Sequence, residues 1–216
     1  MLVGKVRLPV LVSLLLLVCI CNPFPGKTLS QAQTTAEEQI RGVLDTFFRA
    51  LEKKDIDGLM ALWSDKAQQA ATGRQSFTET FGRVSGIELK RLAVKELEFD
   101  GDKVTARVVV EINATDTKTG KPAAGFGELN RTLRLAKDDR AWRVFEYQPS
   151  EKLLALSIVN AKTAAAQQAL LDAHRDLVTV QLEFFLTQEG IGLYRGGQYS
   201  SSLDTFRLVA DIARGI

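Results

Sequence analysis

The chain has 216 residues, 45% of them hydrophobic and 25% charged. That is enough for one domain of ordinary size plus a smaller unit, and too apolar for a disordered polymer. Both cysteines lie near the start, at Cys19 and Cys21, and His174 is the only histidine, so a zinc site or a Ser–His–Asp triad has little to build on.

Residues 1–32 read as a signal peptide. Lys5 and Arg7 precede an apolar run from Leu8 to Cys21, which has the length of a signal h-region rather than of a bilayer span. Small residues in "SQA", 30–32, allow cleavage after Ala32. The segment predicts export to a periplasmic or extracellular space, with membrane attachment only if the leader stays uncleaved or is lipidated. Val18 and Ile20 are bulky neighbours for lipid attachment at the cysteines. Without the leader, 25 basic residues face 26 acidic ones and no cysteine remains. No charge run marks a nucleic-acid surface, and no cofactor or metal is expected.

Residues 33–149 read as an α+β domain. "TAEEQIRGVLDTFFRALEKKD" opens with Thr35 and Glu38 at capping-box spacing, and Ile40, Val43, Leu44, Phe47, Phe48 and Leu51 form one helical stripe. "DIDGLMALWSDKA" predicts a second short helix, and "GRQSFTETFGRVSG" a third ended by Gly86. From residue 87 the period becomes two. The alternation of strand 87–99 slips between Leu92/Val94 and Leu97/Phe99, which predicts a bulge or a bend. Asp100-Gly101 signals a hairpin, and three further strands follow in "KVTARVVVEINA", "ELNRTLRLA" and "AWRVFEYQP". Helices packed on one bent antiparallel sheet are expected.

After Pro149 the pattern is helical. Ser150 is a candidate cap; residues 150–182 read as a helical spacer and 183–216 as a helical hairpin. In the hairpin Gly190 is small mid-helix, Gly197 makes the turn and Ser202 is small on the second helix. Leu186, Leu193, Tyr199, Leu203 and Phe206 supply bulk. This pattern resembles a tetratricopeptide repeat, on Gly190, Leu193, Gly197, Tyr199, Leu203 and Phe206. Glu189, Val209 and Arg214 depart from it. The resemblance implies a stackable unit that binds a partner protein or peptide, and an array that continues past residue 216.

The front domain, with "FFRALEKKDIDGLMALWSDKA", resembles the nuclear transport factor 2-like cone over about 35–148. The order of leader, cone, spacer and repeat also resembles exported repeat proteins, some of which carry a CHAT protease further on. Some relatives of the cone fold are isomerases, cyclases or dehydratases using a histidine–aspartate pair, but the cone here has no histidine. The leading expectation is a non-enzymatic scaffold. The alternative is a small-molecule site in the cone, with Arg131, Trp142 and Glu146 as candidate ligand residues. A third expectation is a homodimer through the sheet, using Thr105, Arg107 and Glu111. His174 is read as a surface or packing residue.

Overall fold

A computed structural model describes residues 31–139 and 141–215; the leader reading falls on residues 1–32, almost wholly outside them. The elements are α1 (Gln31–Glu52), α2 (Ile56–Ala61), α3 (Gln69–Arg83), β1 (Val84–Asp100), β2 (Lys103–Asp116), β3 (Gly127–Asp138), β4 (Ala141–Pro149), α4 (Ser150–Asn160), α5 (Ala164–Ala173), α6 (Val180–Arg195) and α7 (Tyr199–Ala213). A single 3-10 turn, Arg175–Leu177, lies between α5 and α6.

The α+β expectation holds for the front domain. Its four strands form one antiparallel sheet in the order β1-β2-β3-β4. The stripe of α1 covers the inner face: Ile40, Leu44, Phe47 and Phe48 are fully buried with Val108, Val110, Leu133 and Val144. At β1–β2 a two-residue turn places Gly101 at φ 58°, where a positive φ favours glycine. The slip in β1 is real: the register shifts between Val94 and Glu96, and again between Leu89 and Arg91. Each extra residue lets the strand bend. Residues 62–64 extend the sheet beyond β4, through Ser64 N–H to the Val144 carbonyl at 3.0 Å and Val144 N–H to the Leu62 carbonyl at 2.8 Å.

Three local expectations change. α1 begins at Gln31, so Thr35 lies inside the helix and not at its cap. α3 ends at Arg83 and β1 starts at once, so Gly86 is a strand residue. Ser150 opens α4 without capping it; its hydroxyl instead pairs with that of Thr132 at 2.8 Å, both buried.

A second core holds Leu154, Ala155, Ile158, Leu171, Leu177, Leu182, Leu186 and Ile212. The segment expected as a spacer therefore shares one core with the helices after it. This helical part leans on the outer face of the sheet. Glu151 accepts from the Asn130 side chain at 2.9 Å, and the Arg107 guanidinium is paired with Asp176 and Glu96. The Arg107 part of the face expected to dimerise is thus occupied by the chain's own helices.

Candidate functional site

Between α3 and the inner face of the sheet lies a cavity of about 550 Å³. Its origin is legible in α3. The residues of that helix that line it include Gln69, Thr72, Gly73, Ser76, Phe77, Thr80 and Phe81, spaced as one helical face. Four of them are glycine, serine or threonine, too small to fill the gap to the sheet. Phe77, Phe81, Trp63, Leu51, Ile87 and Ile112 give an apolar lining, and the segment 124–126 closes one side.

Tyr147 organises the cavity wall. Its ring lies 5.1 Å from that of Phe47 and stacks on Phe77 at 6.3 Å. Its N–H donates to the Gln69 side-chain oxygen at 3.2 Å. Arg131 lies over the same ring, 5.9 Å from its centre. The Arg131 Nε donates to the Tyr147 hydroxyl at 3.2 Å and Nη1 to the Asn130 carbonyl at 3.1 Å.

Of the three residues expected to bind ligand, only Arg131 lines this cavity. It faces inward because, at spacings of two and four residues, it shares one face of β3 with Leu129, Leu133 and Leu135. Trp142 is buried on the inner face but lies away from the cavity, beneath the Lys137 ammonium at 5.3 Å. Glu146 points the other way. β3 and β4 shift register between Arg134 and Leu135: Arg134 pairs with Glu146 and Leu135 with Val144, leaving Phe145 as an extra residue. The bulge reverses the alternation beyond it, so Glu146 joins Arg134 in an ion pair at 2.8 Å on the outer face and Tyr147 turns inward.

The charged side chains that line the cavity are Arg83, Arg131 and Lys152; no carboxylate and no imidazole is among the lining residues. His174 ends α5 and borders a shallow groove on the outer face with Thr105 and Arg107. Among the described residues no three of His, Cys, Asp or Glu gather as a metal set, and no helix is long and apolar enough to cross a membrane.

The helices α6 and α7 form an antiparallel pair. Gly197 turns between them at φ 78°. Gly190 is buried under the Phe206 ring, and the Ser202 hydroxyl donates to its carbonyl at 2.8 Å. The large apolar side chains that stand exposed among the described residues are Val180, Phe184, Tyr194, Tyr199, Leu203 and Phe206, all on this pair. Tyr199, Leu203 and Phe206 recur at helical spacing. The rings of Tyr194 and Tyr199 meet at 5.3 Å and join the surfaces of the two helices. Leu193, expected at an anchoring position, is only half-buried.

No curated protein matches the sequence. Among solved structures, a Mycobacterium tuberculosis protein of unknown function is similar at 19% identity over 68% of this chain and 92% of that one, with a TM-score of 0.44. A ketosteroid isomerase-like protein from Erwinia carotovora atroseptica is similar at 17% identity over 51% and 91%, with a TM-score of 0.40. A conserved protein from Planctomyces limnophilus is similar at 16% identity over 54% and 98%, with a TM-score of 0.42. The decisive match is to a sequence family: residues 40–153 fit the SnoaL-like domain, from within α1 to the first turn of α4. The chain belongs to the SnoaL-like domain family.

Proposed function

We propose that the protein is a non-enzymatic binding module that recognises a partner protein through α6 and α7. The observation that carries this is the gathering of six exposed large apolar residues on one helix pair. Isolated exposed apolar residues are ordinary, whereas neighbouring ones mark an interaction surface, and here the touching Tyr194 and Tyr199 rings are continued by Leu203 and Phe206 on one face of α7. The occupant we assign is an amphipathic helix of the partner, since the Tyr199, Leu203 and Phe206 row matches the i, i+4, i+7 anchors of helix–helix packing. Tyrosine and phenylalanine are suited to anchor such contacts.

The likeness to a tetratricopeptide unit belongs to the same reading. It is supported by the close contact at Gly190, the Gly197 turn and the Ser202 bond. On this reading residues 1–32 act as an export leader and the cone as the folded base. The non-enzymatic reading is supported by the lining of the cavity, which holds no carboxylate and no imidazole to serve as a general base near neutral pH.

The test is fluorescence anisotropy of a labelled helical peptide with leucines at i, i+4 and i+7, titrated with the full chain. A scrambled peptide of the same composition is the control. The helical peptide should bind, and Leu203→Ser with Phe206→Ser should weaken it about tenfold or more. Equal binding of the scrambled peptide, or undiminished binding by the double variant, overturns the reading.

A further inference from the structure

The cavity under α3 has an unusual charge balance. Arg83 from the end of α3, Arg131 from β3 and Lys152 from the first turn of α4 all line it and no carboxylate lines it with them; Glu151 lies in the adjoining groove, held by the Asn130 side chain. None of the three makes an ion pair among the described residues. Many of the other described guanidinium groups are paired, Arg41, Arg49, Arg74, Arg91, Arg107 and Arg134 each holding a carboxylate, while Arg143 is held by the Ala61 carbonyl. Three cations without an ion-pair partner around one concave volume, polar on one part of its wall and apolar on the other, create a positive potential inside it.

We infer that this cavity binds an amphipathic organic anion, a carboxylate attached to a ring-bearing apolar body. The carboxylate is held at Arg131, and the body lies against Phe77 and Phe81. Arg131 is already oriented: its bonds to the Tyr147 hydroxyl and the Asn130 carbonyl use Nε and Nη1 and fix the guanidinium, while Nη2 belongs to neither bond. A guanidinium fixed before binding loses little side-chain entropy when an anion arrives. A planar carboxylate suits a planar guanidinium. The apolar lining favours a ligand that buries a hydrophobic body over a small inorganic ion that must shed its hydration shell. Arg83 and Lys152 add long-range attraction. The volume, about 550 Å³, lies in the usual range for small-molecule pockets. The inference stands apart from the α6–α7 surface and does not need it.

The test is isothermal titration of the full chain with 2-naphthoate and with 2-naphthamide, which keeps the ring and removes the charge. The acid should bind about tenfold more tightly than the amide, as expected for a charge-assisted bond, and added salt should narrow the gap. Arg131→Met keeps an apolar stem and should remove most of the acid's advantage, Arg83 and Lys152 leaving a small remainder, with the amide unchanged. Equal affinities in the wild-type chain, no binding of either compound, or an acid preference undiminished in Arg131→Met would each overturn the inference. If Arg131→Met does not fold, the wild-type comparison decides alone. The Leu203→Ser, Phe206→Ser chain should bind naphthoate as the wild type does; loss of binding there would move the site to the helix pair and overturn the inference, whatever becomes of peptide recognition.

Discussion

The Ser202 hydroxyl donates a 2.8 Å hydrogen bond to the carbonyl oxygen of Gly190, at the closest approach of α6 and α7. A Cβ on Gly190 would lie 2.9 Å from the Phe206 ring, whereas one on Gly192 would meet nothing within 4 Å. Gly190→Val should therefore cost about 1–3 kcal/mol through overpacking. Ser202→Ala should cost about 0.5–1.5 kcal/mol through the lost bond. Gly192→Ala, two residues away on the same helix, should instead gain about 0.5–1 kcal/mol from reduced backbone entropy in the unfolded chain. Urea unfolding of the three variants reads these signs, and a stabilised Gly190→Val would contradict the packing described.

A second prediction concerns β4, where the bulge at Phe145 separates neighbouring residues onto opposite faces. Glu146→Ala removes a pair that is solvated on the Arg134 side and half-buried on the Glu146 side, together with the bond from Gln148, and should cost about 1 kcal/mol. Tyr147→Ala empties a site bounded by Phe47, Phe48 and Phe77 and should cost about 3 kcal/mol. Deleting Phe145 would leave Val144 opposite Leu135 and Glu146 opposite Arg134 in a regular ladder, with every other side chain on its present face, so circular dichroism should show the sheet retained. Loss of the folded sheet in the deletion variant would mean that Phe145 is not the extra residue of the bulge.

The third prediction is a pH dependence. Hydrogen bonds from Lys66 and Ser64 hold the Asp138 carboxyl below its ordinary range, against a smaller opposing effect of burial. A carboxyl depressed in the folded state contributes stability above the unfolded aspartate value of about 4 and loses it as pH falls through the lower folded value. The same pair raises the Lys66 ammonium, whose hydrogen bond to Asp138 is the main cause. Its contribution is present below the unfolded lysine value and disappears as pH rises through the higher folded one. Asp138→Asn should lower the melting temperature near neutrality, and its curve should converge with that of the wild type from about pH 5 to pH 2. Curves that stay parallel across that interval would remove Asp138 from the acid response.

Much of the front domain was legible because its signals are local. The α1 stripe, the Asp100-Gly101 turn and the slip in β1 each follow from residues close in sequence. The candidate ligand set was less legible. Strict alternation along β4 places Glu146 with Trp142 and Val144, and the bulge at Phe145 that breaks it arises from pairing with β3, which a single strand does not reveal. The cavity face of α3 had a readable signal, small and aromatic residues at helical spacing, but its meaning depends on how far the helix stands from the sheet. The antiparallel helix pair was legible from its glycines. That the preceding helices share its core was not, because apolar helices alone do not announce which neighbours they choose.

The order of strands in the sheet equals their order in the chain. During synthesis each strand therefore meets a partner already made, and hairpins can zip one after another with little loop-closure cost. The first helix has no such luck. Phe47 leaves the ribosome long before Tyr147, its ring partner on the last strand. Nascent chains halted before Ala141 could lay that helix on the first three strands but would leave Phe47 and Phe48 without the Tyr147 ring, an oily end open to chaperones.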